Sequence, residues 1–190
     1  MRKGDFIGTY SGIHFYPLDP QPEDICIYDI AHALSQICRF NGHTRSMYDV
    51  ASHSCNVQML LYEKKYDAEV QLYGLLHDSH EAYIADITRP LANCLSQSAQ
   101  NELNEMKANV QRAIYKCFGL IEPSTQIEIV IKDADNYVLA LEAKELMKGS
   151  DGWNLCETTS TDGLRYTKPC TAAEVAFVSK FNLLMEKVKR

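Results

Sequence analysis

Apolar positions change their spacing along the chain, and each change marks an element. Aromatic and branched residues cluster from Phe6 to Tyr10 and from Ile13 to Tyr16, on either side of Ser11-Gly12. That pattern predicts two short strands across a turn. Pro17, Pro20 and Pro22 then end regular structure, because each fixes φ and lacks a donor. From Asp29 the period becomes helical. Asp29 is placed to cap a helix running to about Phe40, with Ile30, Ala33, Leu34 and Ile37 on one face and Asn41-Gly42 as its stop. A second helix covers Tyr48 to Lys64, with Val50, Val57, Leu60 and Leu61 inward. Asp67 opens a third, whose Val70, Leu72, Tyr73, Leu75 and Leu76 leave little polar surface, so it is expected at the centre. Thr88-Arg89-Pro90 reads as a helix entry. Long amphipathic helices follow over Ser98 to Phe118, closed by Gly119, and over Ser124 to Lys148, closed by Gly149. Trp153 to Pro169 has no period and reads as an excursion. Thr171-x-x-Glu174 reads as a capping box opening a last helix. The sum is a mostly α-helical bundle with a small N-terminal β-hairpin. It forms one domain over 1–190: a β element over 1–22, a helical core over 25–148, and a loop with a C-terminal helix over 149–190.

Composition narrows the setting. Hydrophobic residues make up 46% of the 190 and charged residues 23%, which is ordinary for a globular domain able to bury a core. No apolar run reaches a membrane span, and no apolar stretch follows Met1-Arg2-Lys3 as in a leader. A cytoplasmic location is the expectation. The seven cysteines are odd in number and form no Cys-x-x-Cys pair, so a disulfide framework or zinc knuckle is not indicated. Cys38 and Cys117 read as small hydrophobes in helical surroundings. A net charge of −6 argues against binding nucleic-acid polymers, which takes basic surface. It leaves room for a small polyanion held by a few arginines.

Six positions carry candidate chemistry: His53, His77, Asp78, Glu81, Asp86 and Asp135. On a continuous helix His77 and Glu81 share a face, and Asp78 is turned by about 100°. His53 and Asp135 come from other helices. Two imidazoles and two carboxylates suit a first-row divalent ion and leave positions open for water and substrate. Taken singly, each has a plain reading: a chance His-Asp dipeptide, a satisfied histidine, a solvated helix acid. Context changes this. His77-Asp78 follows the apolar run Leu72 to Leu76, where ionisable groups are costly unless paired or metal-bound. Gly74, just before, allows another element to approach closely.

The order Val50-Ala51-Ser52-His53-Ser54, Leu75-Leu76-His77-Asp78-Ser79-His80-Glu81, Ala85-Asp86-Ile87 and Lys132-Asp133-Ala134-Asp135 resembles the HD-domain phosphohydrolases. Within them it is most similar to small bacterial 5′-deoxynucleotidases and phage-type deoxynucleoside triphosphate (dATP) hydrolases. The similarity runs from Ile25 to Lys148. It implies that His53, His77, Asp78 and Asp135 ligate a divalent ion (Co, Mn, Mg, Ni, Fe or Zn). It implies that Glu81 orients or deprotonates the attacking water, and that Asp86 gives a proton to the leaving oxygen or positions the water. Arg39, 14 residues before His53, matches a phosphate-gripping arginine, and Phe40 an aromatic beside the base. His80 and Thr88-Arg89 depart from the usual pattern.

The resemblance implies a 2′-deoxynucleotide substrate, self-association into a homo-oligomer, and the cytoplasm of a bacterial or phage-infected cell. Arg45 and Arg89 flank the motifs and favour a triphosphate substrate, with Arg89 a candidate phosphate ligand. The alternative is a 5′-deoxynucleotidase acting on monophosphates. A nucleotide-binding HD protein without turnover is the alternative of another class, and Glu81 argues against it. His32 and His43 stand near the arginine motif with either a pocket or a surface role. His14, Lys132, Lys168 and Trp153 read as structural or solvated.

Overall fold

The computed structural model describes residues 2–158, 163–166 and 170–189. It is mostly helical with a two-stranded hairpin at the N-terminus, as the sequence predicts. Strand β1 (Ile7–Gly8) pairs antiparallel with β2 (His14–Phe15), Ile7 opposite Phe15. The helices are α1 (Ile27–Gln36), α2 (Val50–Glu63), α3 (Ala68–Leu76), α4 (Glu81–Ile84), α5 (Arg89–Asn93), α6 (Gln97–Cys117), α7 (Thr125–Leu146) and α8 (Thr171–Val188).

Helix α3 lies at the centre, against α2, α7 and α8. Every residue from Val70 to Leu76 is buried, the expectation for a helix apolar on all sides. Gly74 is what lets α2 close on it: a Cβ there would stand 2.2 Å from Leu61 Cδ1. Caps hold the ends of the central helices. Asp49, Asp67, Ser96 and Ser124 each accept the backbone N–H three residues on, satisfying donors the first turn leaves open. The hairpin docks through Phe15, buried and stacked on Tyr83 with ring centroids 4.0 Å apart. Among the described residues no helix is long and apolar enough to cross a membrane.

The structure departs from the sequence reading in several places. Asp29 does not cap α1; Cys26 stands at the N-cap, and Asp29 lies inside the helix, 3% exposed. Its carboxylate accepts from Ser11 N (2.8 Å) and Ser11 Oγ (2.7 Å), which fastens the hairpin turn to α1. Helix α1 stops at Gln36 rather than near Phe40. Ile37 and Cys38 turn extended, and Cys38 bridges Asp49 instead of lying in a helix. The bonds Arg39 N to Tyr48 O and Val50 N to Ile37 O outcompete the helical ones. Thr171 does not form a capping box either. Cys170 holds that N-cap position without a side-chain bond, and Glu174 reaches His32 Nδ1 instead, at 3.2 Å. Trp153–Leu155 and 163–166 lie outside regular elements, as expected for the excursion; Lys168 and Pro169 lie outside the described residues.

Candidate metal centre and active site

The His-Asp pair sits where α3 tightens. The helix ends at Leu76, and the next turn is held by i→i+3 bonds from Ser79 N to Leu76 O, Glu81 N to Asp78 O, and Tyr83 N to His80 O. His77 and Glu81 are therefore not successive turns of one α-helix, as the sequence reading had them. In a three-residue turn, positions i and i+3 eclipse, so Glu81 aligns with Asp78. Donor atoms of Asp78, His80 and Glu81 lie within 4.8 Å of one another.

Donor atoms of His53, His77 and Asp135 lie within 4.8 Å of one another, and Asp78 stands beside the two histidines. His53 Nε2 and His77 Nε2 stand 3.3 Å apart. Asp78 Oδ2 is 3.1 Å from His77 Nε2 and 3.6 Å from His53 Nε2. Asp135 Oδ1 is 3.2 Å from His53 Nε2 and 4.0 Å from His77 Nε2. Two donors each about 2.1 Å from one ion stand about 3.0 to 4.2 Å apart as their angle opens from square to linear. These separations fall in that interval; His53, His77 and Asp135 form one group of donors, while Asp78 also groups with His80 and Glu81. Each histidine also has its other nitrogen engaged: His53 Nδ1 donates to Glu142 Oε1 at 2.6 Å, and His77 Nδ1 to Gly74 O at 2.8 Å. Those bonds fix the tautomer that leaves both Nε2 lone pairs pointing at one place. The donor set fits a divalent ion, and its identity is open.

The electrostatics agree with that fit. Burial and the Arg39 charge oppose protonation of His53, but Glu142 and Asp135 outweigh them and lift its pKa to about 9. Despite their burial, Asp78 and Asp135 are held well below the ordinary carboxylate range, Asp78 chiefly by His77 and Asp135 chiefly by His53. The cluster thus holds cationic charge in the place an ion would take, and ion binding would displace a proton from His53.

Glu81 stands differently. It is 7% exposed, and its buried Oε2 has no hydrogen-bond partner among the described residues. Burial, then Asp78 and Asp86, raise its pKa to about 9. Asp86, half-buried, is raised as well, by burial and, more weakly, by Asp78, against the pull of Arg39. A buried, unpartnered carboxyl oxygen beside metal-type donors is the kind of group that a water would satisfy.

Arg39 is buried, with Nε 3.1 Å and Nη2 3.0 Å from Glu142 Oε2 and Nη1 3.9 Å from Asp78 Oδ2. It therefore reaches the centre, as expected. Phe40 follows with φ 54°, and Asn41 with φ 52°. That is a left-handed conformation uncommon for a bulky residue. It sets the Phe40 ring 5.5 Å from the Arg39 guanidinium and 6.1 Å from the half-exposed Trp153 ring. Arg89 and Arg45 are both exposed, and Arg45 bonds the C-terminal end of α7 through Leu146 O and Glu145 O. His32 stacks on Tyr10, His14 stacks on Phe6, and His43 is exposed.

A groove of about 540 Å³ between α6 and α7 opens onto His77, Asp78 and Asp135, with Arg112 and Lys132 among its walls. Its size lies within the usual range for small-molecule sites. The sequence reading set Lys132 aside as solvated. It is exposed, but it also pairs with Asp135 Oδ2 at 2.6 Å. The residue missed altogether is Glu142, fully buried between His53 and Arg39. A signal existed: it is a lone acid in Leu139-Ala140-Leu141-Glu142-Ala143, two helical turns after Asp135.

No protein-family model matches the chain. It is 32% identical over 184 residues to the uncharacterized protein YfdR of Escherichia coli (strain K12), across 95% of this chain and 96% of that one. It is 33% identical over 142 residues to the uncharacterized protein RCAP_rcc00048 of Rhodobacter capsulatus, across 72% of this chain and 70% of that one. At that identity and coverage, the chain belongs to the family that includes YfdR and RCAP_rcc00048.

Proposed function

We propose that the protein is a metal-dependent phosphohydrolase of the HD type acting on 2′-deoxynucleotides, with triphosphates favoured. The observation that carries this reading is the convergence of two oriented Nε2 atoms and two carboxylates beside the unpartnered Glu81 oxygen.

A divalent ion held by His53, His77, Asp78 and Asp135 would polarise a phosphoryl oxygen and make a neighbouring water more acidic. The protein's own groups supply the rest. Arg39, with Nε and Nη2 already held by Glu142, presents Nη1 toward the centre to bind an α-phosphoryl oxygen. Glu81, as carboxylate, orients a water and accepts its proton as the water oxygen attacks the α-phosphorus. The bond from that phosphorus to the 5′ oxygen breaks. Asp86 gives a proton to the departing oxygen. Phe40 walls the base, and the groove bearing Arg112 and Lys132 has room and charge for further phosphates.

The same bond breaks in a monophosphate and in a triphosphate, and the remaining phosphates decide which substrate is used. Two further phosphates call for cations. Arg112 and Lys132 line the groove beside the ligands. Product analysis tests this. Metal-loaded protein given dATP is expected to release deoxyadenosine and triphosphate. Orthophosphate from dAMP with dATP untouched would instead establish the monophosphate reaction. Binding of both nucleotides without any product would leave a sensor.

A further inference from the structure

The Glu142 carboxylate touches two groups with different tasks. Oε1 accepts from His53 Nδ1 at 2.6 Å, and Oε2 accepts from Arg39 Nε at 3.1 Å and Nη2 at 3.0 Å. All three residues are buried, Glu142 and His53 completely. The buried Tyr48 lies close to Glu142. Tyr48 is braced in turn by Asn56 Nδ2 at 2.9 Å, whose Oδ1 accepts from Arg165 N and Tyr166 N. The two oxygens of this carboxylate thus face different tasks. One keeps the His53 proton on Nδ1 and thereby leaves Nε2 free. The other fixes the plane of the guanidinium, so that Nη1 alone is left toward Asp78.

We propose that Glu142 is a positioning residue that ties cation binding to phosphate binding: one carboxylate orients His53 toward the ion and Arg39 toward the phosphoryl oxygen. The proposal rests on the metal-centre reading above. It follows that a change at Glu142 impairs both affinities together, although Glu142 meets neither ligand. In Glu142→Gln, one amide cannot accept from both partners, because its NH₂ end faces either a histidine N–H or a guanidinium.

The experiment measures Mn²⁺ affinity calorimetrically, then inorganic phosphate affinity in the Mn²⁺-loaded protein, for wild type, Glu142→Gln, Glu142→Asp and the exposed control Glu186→Gln. Glu142→Gln is expected to weaken Mn²⁺ binding by about 10- to 100-fold and to weaken phosphate binding in the same protein. At saturating Co²⁺ its visible d–d spectrum is expected to differ from wild type, because His53 is no longer held. A loss of fold stability alone would not move that spectrum. Glu142→Asp keeps the charge but is one methylene too short to reach both partners, so it is expected to fall between. It serves where Glu142→Gln does not fold. Glu186→Gln should match wild type. Folded Glu142 variants with wild-type Mn²⁺ affinity and Co²⁺ spectrum overturn the proposal and leave the metal centre standing. Weakened Mn²⁺ binding with unchanged phosphate affinity overturns the coupling. Wild type that binds none of Mn²⁺, Co²⁺ or Zn²⁺ overturns the metal-centre reading itself.

Discussion

Asp78→Ala is expected to remove both ion binding and turnover while leaving the helical fold in place. Asp78 Oδ2 lies 3.1 Å and 3.6 Å from the two histidine Nε2 atoms. Its loss leaves Asp135 as the remaining carboxylate beside the two Nε2 atoms, since Glu142 is already engaged by His53 Nδ1 and Arg39. The ion's effect on a phosphoryl group is worth several kcal/mol, so hydrolysis should fall by about 10³-fold or more. Asp78 is part-exposed at the end of α3 and caps nothing, so the core formed by Leu72, Leu75 and Leu76 stays packed. The measurement is metal content of the purified variant beside its rate and its far-ultraviolet circular dichroism. Full metal occupancy with a wild-type rate would remove Asp78 from the ligand set.

Glu81→Gln is expected to separate chemistry from binding. The substitution keeps shape and burial but removes the ability to take a proton. General-base contributions run to about 10²- to 10⁴-fold, so kcat should fall by that order while ion affinity stays near wild type. The pH profile carries a second signature. Burial beside Asp78 and Asp86 raises the Glu81 pKa, and only its carboxylate form is active. Wild-type rate should therefore rise with pH as Glu81 loses its proton, toward about 9. That rise should vanish in Glu81→Gln. A variant that loses metal in proportion to rate would instead make Glu81 a ligand.

The sequence made the site more legible than its frame. His53, His77, Asp78 and Asp135 could be grouped because their chemistry is shared and their elements are distinct, and the structure brings all four together. Arg39 lies beside Asp78 for a reason the pattern does not contain. It reaches the centre because α1 stops early and the chain doubles back through Cys38 and Asp49, not because a helix continues to Phe40. The turn after Leu76 was illegible, since no glycine or proline marks it. Its i→i+3 bonds set Glu81 over Asp78 rather than His77. Arg45 and Arg89 are near the motifs in sequence and exposed in the structure, because nearness in sequence says nothing of which way a loop or helix end faces. Asp29 looked like a cap because caps are acidic, and it proved to be the anchor of a hairpin turn 18 residues away. Glu142 escaped because an acid on a long helix reads as surface until its partners, 89 and 103 residues away, are known.

The most direct measurement is phosphate-ester hydrolysis by one preparation, first stripped of metal with chelator and then titrated with Mn²⁺, Co²⁺ or Mg²⁺ in the presence of a deoxynucleotide. A four-ligand centre beside Glu81 and Arg39 is expected to give no turnover when stripped and to recover it in step with about one ion bound per chain. Turnover that persists in chelator, or protein that fills with metal and hydrolyses no deoxynucleotide, would contradict it.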